Sequence, residues 1–130
     1  MIVDTSALMA ILLLEPDAAT FATAMADATS RSMSAGSWIE ITAGLARCHP
    51  ALSVHEPERS ARSIGIEIVP ITPEQALIGD AAYRRFGRGT GHPASLNFGD
   101  CFAYALSRAT GEPLLFKGDD FTHTDVLAAL

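Results

Sequence analysis

The sequence predicts one α/β domain, three-layered α/β/α around a central parallel sheet of four to five strands. Two observations predict it. Short β-rich apolar runs, "MIV" (1–3), "SMSA" (32–35), "IEIV" (66–69) and "PLLF" (113–116), alternate with stretches of helical periodicity, the pattern of parallel strands joined by right-handed helical crossovers. The 130 residues also carry no repeat, low-complexity tract or linker that would divide them. Residues 1–130 are therefore expected to form a single domain.

The elements follow in order. After "MIV", "DTS" is a helix N-cap sequence leading into "ALMAILLLE" (7–15). Pro16 stops that helix and stands where "PDAATFATAMADA" (16–28) can begin a new one. The "SMSA" strand leads into "GSWIEITAGLARC" (36–48), where Trp38, Ile41 and Leu45 have helical spacing. Residues 51–63 are polar, broken by Pro57, and read as a weak helix or loop. The strand "IEIV" is followed by a helix from Pro73 to Phe86, and "GRGTGHPAS" (87–95) is a loop by its Gly and Pro content. "NFGDCFAYALSRATG" (97–111) is a helix with a glycine stop, and "PLLF" the last strand. The final nine residues carry no clear pattern.

Composition narrows the function. A hydrophobic fraction of 48% and a charged fraction of 18% are those of a compact globular chain. The apolar stretch "ALMAILLL" (7–14) is too short to span a bilayer, and Asp4 stands where a signal peptide would be basic. Cys48 and Cys101 have no metal or redox spacing and read as reduced thiols of a cytoplasmic protein. The net charge of −6 argues against wrapping nucleic acid by charge alone. Yet Arg84, Arg85, Arg88 and His92 fall within an acid-free stretch from 81 to 99.

In open α/β sheets, ligand sites lie beyond the carboxyl ends of the strands. Acids stand there. Asp4 follows "MIV"; Glu40 is placed in the first turn after "SMSA"; Asp100 is in the first turn of the helix after 97; Asp119 and Asp120 follow "PLLF". Converging carboxylates raise one another's pKa unless a positive charge sits among them, and a hard divalent cation supplies it with few protein ligands. Metal-assisted phosphodiester hydrolysis is the chemistry that follows. Each acid also has a structural reading. Glu40 completes a capping box with Ser37, Asp100 sits at N3 behind Asn97, and Asp4 caps the first helix. Thr5 and Ser6 are either first-turn polar residues or partners of a metal-bound water.

"MIVDTSALMAILLLEPDA", "SWIEITAGLAR" and "LNFGDCFAYALSRATGEPLLFKGDDFTHTD" resemble the PIN-domain ribonuclease toxins of the VapC type, the toxic half of bacterial toxin–antitoxin pairs. The resemblance runs over nearly the whole chain, with the motifs in order. It implies a PIN-like α/β/α fold, a Mg²⁺-dependent endoribonuclease in which Mn²⁺ substitutes, RNA as substrate, a cognate VapB-type antitoxin, and a homodimer. The family's acidic site falls here on Asp4, Glu40, Asp100 and Asp120. Asp4 and Asp100 would be the principal metal ligands, with Glu40 and Asp120 supporting or holding a second ion. The family motif takes Asn or Asp before the last acid, so Asp119 is left as a turn residue or outer contributor, beside Thr5 and Ser6.

Arg84, Arg85, Arg88 and Lys117 are candidates for RNA phosphate contacts, against a plain reading as a solvated surface. Tyr104 and Phe102 read as core rather than base-stacking platforms. His49, His55, His92 and His123 share no ligand spacing and are assigned surface or loop positions. Three other readings compete. Lys117 after a late strand invites an aspartyl-phosphate receiver or phosphatase, but Ser6 stands where the phosphatase needs a second Asp, and "IEIVPIT" offers a receiver no acceptor Asp. An inactive PIN-like binding module would be expected to have lost an acid, and all four are present.

Overall fold

The computed structural model describes residues 1–49 and 56–130. Four parallel strands form one sheet: β1 (Ile2–Val3), β2 (Ser32–Ser34), β3 (Glu67–Val69) and β4 (Leu114–Leu115), in the order β3-β2-β1-β4. β1 lies centrally, with Ile2 opposite both Ser32 and Leu114 and Val3 opposite Leu115. Because side chains alternate across a strand, Ile2 and Leu114 enter one core and Val3 and Leu115 the other. All four are fully buried, each contributing about 1.5–3 kcal/mol of apolar burial.

Six helices cover the two faces. On the Val3 face, α1 (Thr5–Leu12), α2 (Ala18–Asp27), α3 (Ala35–Cys48) and α4 (Glu56–Ile64) bring in Leu8, Met25, Ile41 and Ala61. On the Ile2 face, α5 (Pro73–Phe86) and α6 (Asp100–Thr110) bring in Ala82, Phe86, Ala103 and Leu106. This is the expected three-layer α/β/α arrangement. α5 begins on a full capping box between Thr72 and Gln75 with Pro73 at the first helical position. α4 is helical although its sequence is polar: it buries Pro57 and Ala61, and Arg59–Glu56 and Arg62–Glu58 pair along its outer face. The earlier part of the stretch read as weak helix or loop, with His55, lies outside the described residues.

Three boundaries differ from the sequence expectation. α1 ends at Leu12 rather than Glu15, because the chain turns at Leu14, whose φ is 52°. Pro16 does not open α2; Asp17 takes the N-cap position and Pro16 stays in the turn before it, as the restriction proline places on its neighbour favours. The unplaced C-terminus forms a 3₁₀ helix at Asp120–His123 and then pairs with β4. There Leu114 N–H donates to the Leu127 carbonyl, and Ala129 N–H donates to that of Leu114.

Candidate active site

β1 runs straight into α1, so Asp4 stands between the last strand residue and the first helical turn. Its carboxylate caps α1, accepting from the Ser6 N–H at 2.9 Å and the Ser6 hydroxyl at 2.6 Å. The Ser6 hydroxyl oxygen in turn accepts the Lys117 N–H at 2.9 Å. One serine therefore ties the first acid to the segment after β4. Asp4 is almost wholly buried, and that burial raises its pKa against the opposing hydrogen bonds from Ser6.

The turn that leads into α6 is closed by reciprocal hydrogen bonds. Asn97 Oδ1 accepts from the N–H groups of Gly99 and Asp100 at 2.6 and 3.1 Å, while Asp100 Oδ2 accepts the Asn97 N–H at 2.6 Å. The expected N3 position behind an Asn97 cap does not hold, because Gly99 takes the N-cap position and Asp100 is the first helical residue. The Asn97–Asp100 pair is made in the turn before the helix, and Asp100 lines the cleft. Burial pushes Asp100 up to about 7, with Asp4, Asp120 and Glu40 adding repulsion.

Glu40 is not in a first turn. Ser34 at the end of β2 caps α3, accepting the Gly36 N–H at 3.3 Å, which places Glu40 in the second turn. The box expected with Ser37 does not form, because β2 enters α3 without a loop and Ser34 is the first side chain free to cap. Ser37 is wholly buried, its hydroxyl without a partner among the described residues. Glu40 instead accepts a hydrogen bond from Thr5 Oγ1 at 3.2 Å, which also donates to the Ser37 carbonyl. Burial and then Asp4 raise its pKa; Thr5 and Arg47 work against them. A Cβ at Gly99 would overlap the Glu40 carboxyl, so glycine at that position lets α3 and α6 bring Glu40 and Asp100 to one cleft.

The fourth acid arrives from β4. Gly118, at φ 95°, turns the chain, and Asp120 opens the 3₁₀ helix facing the cleft. Its charge is felt by both Asp4 and Asp100. Asp119 is exposed, and its carbonyl accepts from the Thr122 N–H and hydroxyl. Of the two neighbouring aspartates, Asp120 lines the cleft and Asp119 stands in the turn before the 3₁₀ helix.

Asp4, Glu40, Asp100 and Asp120 line one cleft of ≈ 220 Å³ together with Thr5, Ser6 and Asn97. The arrangement is open: among the described residues, no three His, Cys, Asp or Glu side chains close into a ready metal cage. Lys117 also borders the cleft, but its ammonium is held by Glu15 and, at 2.9 Å, by Asp17.

The other candidates scatter. Arg84 pairs with Asp80, and Arg85 with Asp125 while its guanidinium lies 4.5 Å from the Phe86 ring centroid. Arg88 lines a neighbouring groove that reaches Glu40. Tyr104 is core, as expected, and Phe102 is partly buried against Phe98. His92 packs edge-on against Phe86. Cys101 is buried, which pushes its thiol up to about 11. No helix among the described residues is long and apolar enough to cross a membrane. Sequence reasoning missed Arg47, Phe98 and Gly99. Only Gly99, between Asn97 and Asp100 in an otherwise well-marked helix start, left a local signal.

The PIN domain family model matches residues 1–127. Ribonuclease VapC28 of Mycobacterium tuberculosis is 47% identical over 130 residues, covering 100% of this chain and 98% of that protein. Ribonuclease VapC of Mycolicibacterium smegmatis is 42% identical over 128 residues, covering 98% of each. A solved toxin–antitoxin complex from Klebsiella pneumoniae superposes with a TM-score of 0.70 over 99% of this chain and 97% of that one, at 17% identity, a likeness of fold. This chain belongs to the PIN-domain family and, within it, to the VapC ribonucleases.

Proposed function

We propose that the chain, acting as one domain in the cytoplasm, is a Mg²⁺-dependent endoribonuclease, the toxin of a type II toxin–antitoxin pair. One observation carries this reading. Four carboxylates from four separate stretches share a cleft, three of them held above their ordinary pKa, and the lysine at its edge is engaged elsewhere. Charges so placed are costly unless a cation neutralises them. The names of the relatives, ribonucleases along their full length, agree with it.

The donor set suits Mg²⁺ or Mn²⁺. It is all oxygen, anionic and open, as a small hard cation that keeps several waters requires. Asp4 and Asp100, buried and fixed by their hydrogen bonds, are the principal ligands, and Glu40 and Asp120 complete the site. A cation bound there supplies charge for the phosphate oxygens and makes water a competent nucleophile near neutral pH. The chain's own part is to orient. Ser6 holds one oxygen of Asp4, Asn97 holds one of Asp100, and Thr5 holds Glu40, leaving each carboxylate its remaining lone pairs for the cleft. Glu40, the less buried acid with a raised pKa, is placed to take the proton of the attacking water.

RNA as substrate, a VapB-type antitoxin and a homodimer are the partners of the proposed toxin. The test is cleavage of single-stranded RNA by protein purified free of antitoxin. Mg²⁺ should support it, EDTA abolish it, and Asp4→Asn remove both cleavage and growth inhibition. An Asp4→Asn protein as toxic as its parent would remove Asp4 from the mechanism.

A further inference from the structure

Beside the acid cleft runs a larger groove of ≈ 690 Å³. Glu40 lines both, so the groove opens onto the cleft. Phe98 is 75% exposed on its wall. The ring is not loose: it stands at 81° to Phe102 with centroids 5.0 Å apart. Phe102 is itself set against α3 at Gly36, where a Cβ would overlap its ring. Ile39 and Ile71 are exposed in the same groove, so the ring belongs to an apolar patch of the kind that marks a binding surface.

Charge says what covers it. Arg59, Arg62, Arg84, Arg85 and Lys117 all pair with carboxylates. Arg47 and Arg88, which line this groove, have no carboxylate partner within salt-bridge distance among the described residues. Among the described residues, Arg47 Nε donates to the Ala43 carbonyl. In a chain of net charge −6, two guanidiniums without a salt bridge among the described residues, flanking an exposed ring, form a local anion-and-aromatic site. Single-stranded nucleic acid is bound by that combination, aromatic rings stacking bases and cations tracking phosphates.

We propose that this groove seats the nucleotide next to the scissile phosphate of a single-stranded RNA, its base on Phe98 and its flanking phosphates on Arg47 and Arg88. The inference rests on the ribonuclease reading above and adds the residues that hold the strand beside the acids; a base paired in a duplex is already stacked and cannot cover the ring. It also moves phosphate recognition away from Arg84, Arg85 and Lys117, whose charges are already answered.

The experiment measures binding of a fluorescent single-stranded RNA oligonucleotide by anisotropy, in an Asp100→Asn background that does not cleave, alongside cleavage by the otherwise native chain. Phe98→Ala should weaken binding on the order of tenfold, the size of one lost base stack. Phe98→Trp should restore it; Phe98→Leu, apolar but unable to stack, should not. Removing Arg47 and Arg88 together should flatten the dependence of log affinity on log salt by about 1.4, roughly 0.7 for each phosphate left without its arginine. The same strand annealed to its complement should bind weakly and lose its sensitivity to Phe98. If the native chain cleaves RNA while the Phe98 and arginine variants bind and cleave like their parents, the groove is not a nucleotide site, though the ribonuclease reading stands. If the native chain neither cleaves nor binds RNA, both fall. If Phe98→Ala halves the molecular mass in light scattering and binding is lost only with that dissociation, the ring is a contact between copies and the proposal is overturned.

Discussion

Two regions of this molecule hold carboxylates in opposite conditions. Asp125 accepts the Tyr104 hydroxyl at 2.6 Å and lies 3.4 Å from Arg85, while Arg108 bonds its carbonyl. Its pKa is lowered, first by Tyr104 and further by the arginines, and burial pushes Tyr104 up to about 12. At the acid cleft, Asp4, Glu40 and Asp100 have hydrogen bonds but no such settlement of charge, and all three are raised. The difference separates two uses of an acid. One carboxylate fastens the C-terminal segment to α6. The other three have their pKa raised, and on the proposed reading a divalent cation supplies the missing positive charge.

Breaking each region should therefore give opposite results. Asp4→Asn or Asp100→Asn should lower RNA cleavage by on the order of a thousandfold, the several kcal/mol that metal assistance contributes, measured by initial rates on labelled RNA. Asparagine still caps a helix at position 4 and keeps an oxygen for the Asn97 N–H at position 100, so neither variant should lower the melting temperature of cation-free protein. Asp125→Ala should do the reverse. Cleavage should be unchanged, while stability to urea drops by about 1 kcal/mol as the part-buried Tyr104 hydroxyl loses its partner.

The contrast also predicts a pH dependence. Asp100 has a folded pKa of about 7 against an ordinary 3.8. Between those values the folded chain holds a proton that the unfolded chain has released. In EDTA, this group's contribution to stability is full below about 4, declines as pH rises, and is lost above about 7. Melting curves from pH 4 to 8 should show a fall in the parent that Asp100→Asn lacks. Mg²⁺ should restore stability at pH 8 and do little at pH 5. A parent and variant with parallel profiles in EDTA would show that burial does not hold Asp100 protonated.

Smaller effects sharpen the division within the cleft itself. Ser6→Ala removes the link between Asp4 and the segment carrying Asp120, and should slow cleavage about 10- to 100-fold, as loss of a ligand-orienting partner does. Asp120→Asn belongs in the same range. Asp119→Asn, an exposed turn residue, should stay within about twofold. Equal losses at 119 and 120 would mean that the 3₁₀ segment turns over when substrate binds.

What could be read from the sequence, and what could not, follows the range of the forces involved. The strands and the positions of Asp4, Asp100 and Asp120 after or beside them were legible because periodicity, caps and turn glycines act over a few residues. Glu40 was legible as an acid of the site but not in its position. Ser34 and Ser37 both offer a cap, and only the strand's entry into α3 decides between them. The fates of Lys117 and Arg85 were invisible, since their partners lie 102, 100 and 40 residues away. For the same reason the groove of Arg47, Arg88 and Phe98 could not be assembled: three stretches meet there, and none is distinctive alone.

The most direct test of the central claim, that the four acids form a divalent-cation site, is titration of Mn²⁺ into antitoxin-free protein, followed by the loss of the free ion's electron paramagnetic resonance signal. The parent should bind at neutral pH and release the ion as pH falls through Asp100's range. Asp4→Asn and Asp100→Asn should each weaken binding at least tenfold, and Asp125→Ala should leave it unchanged. Parent, Asp4→Asn and Asp100→Asn proteins that bind Mn²⁺ alike, or a parent that cleaves RNA fully in EDTA, would contradict the account.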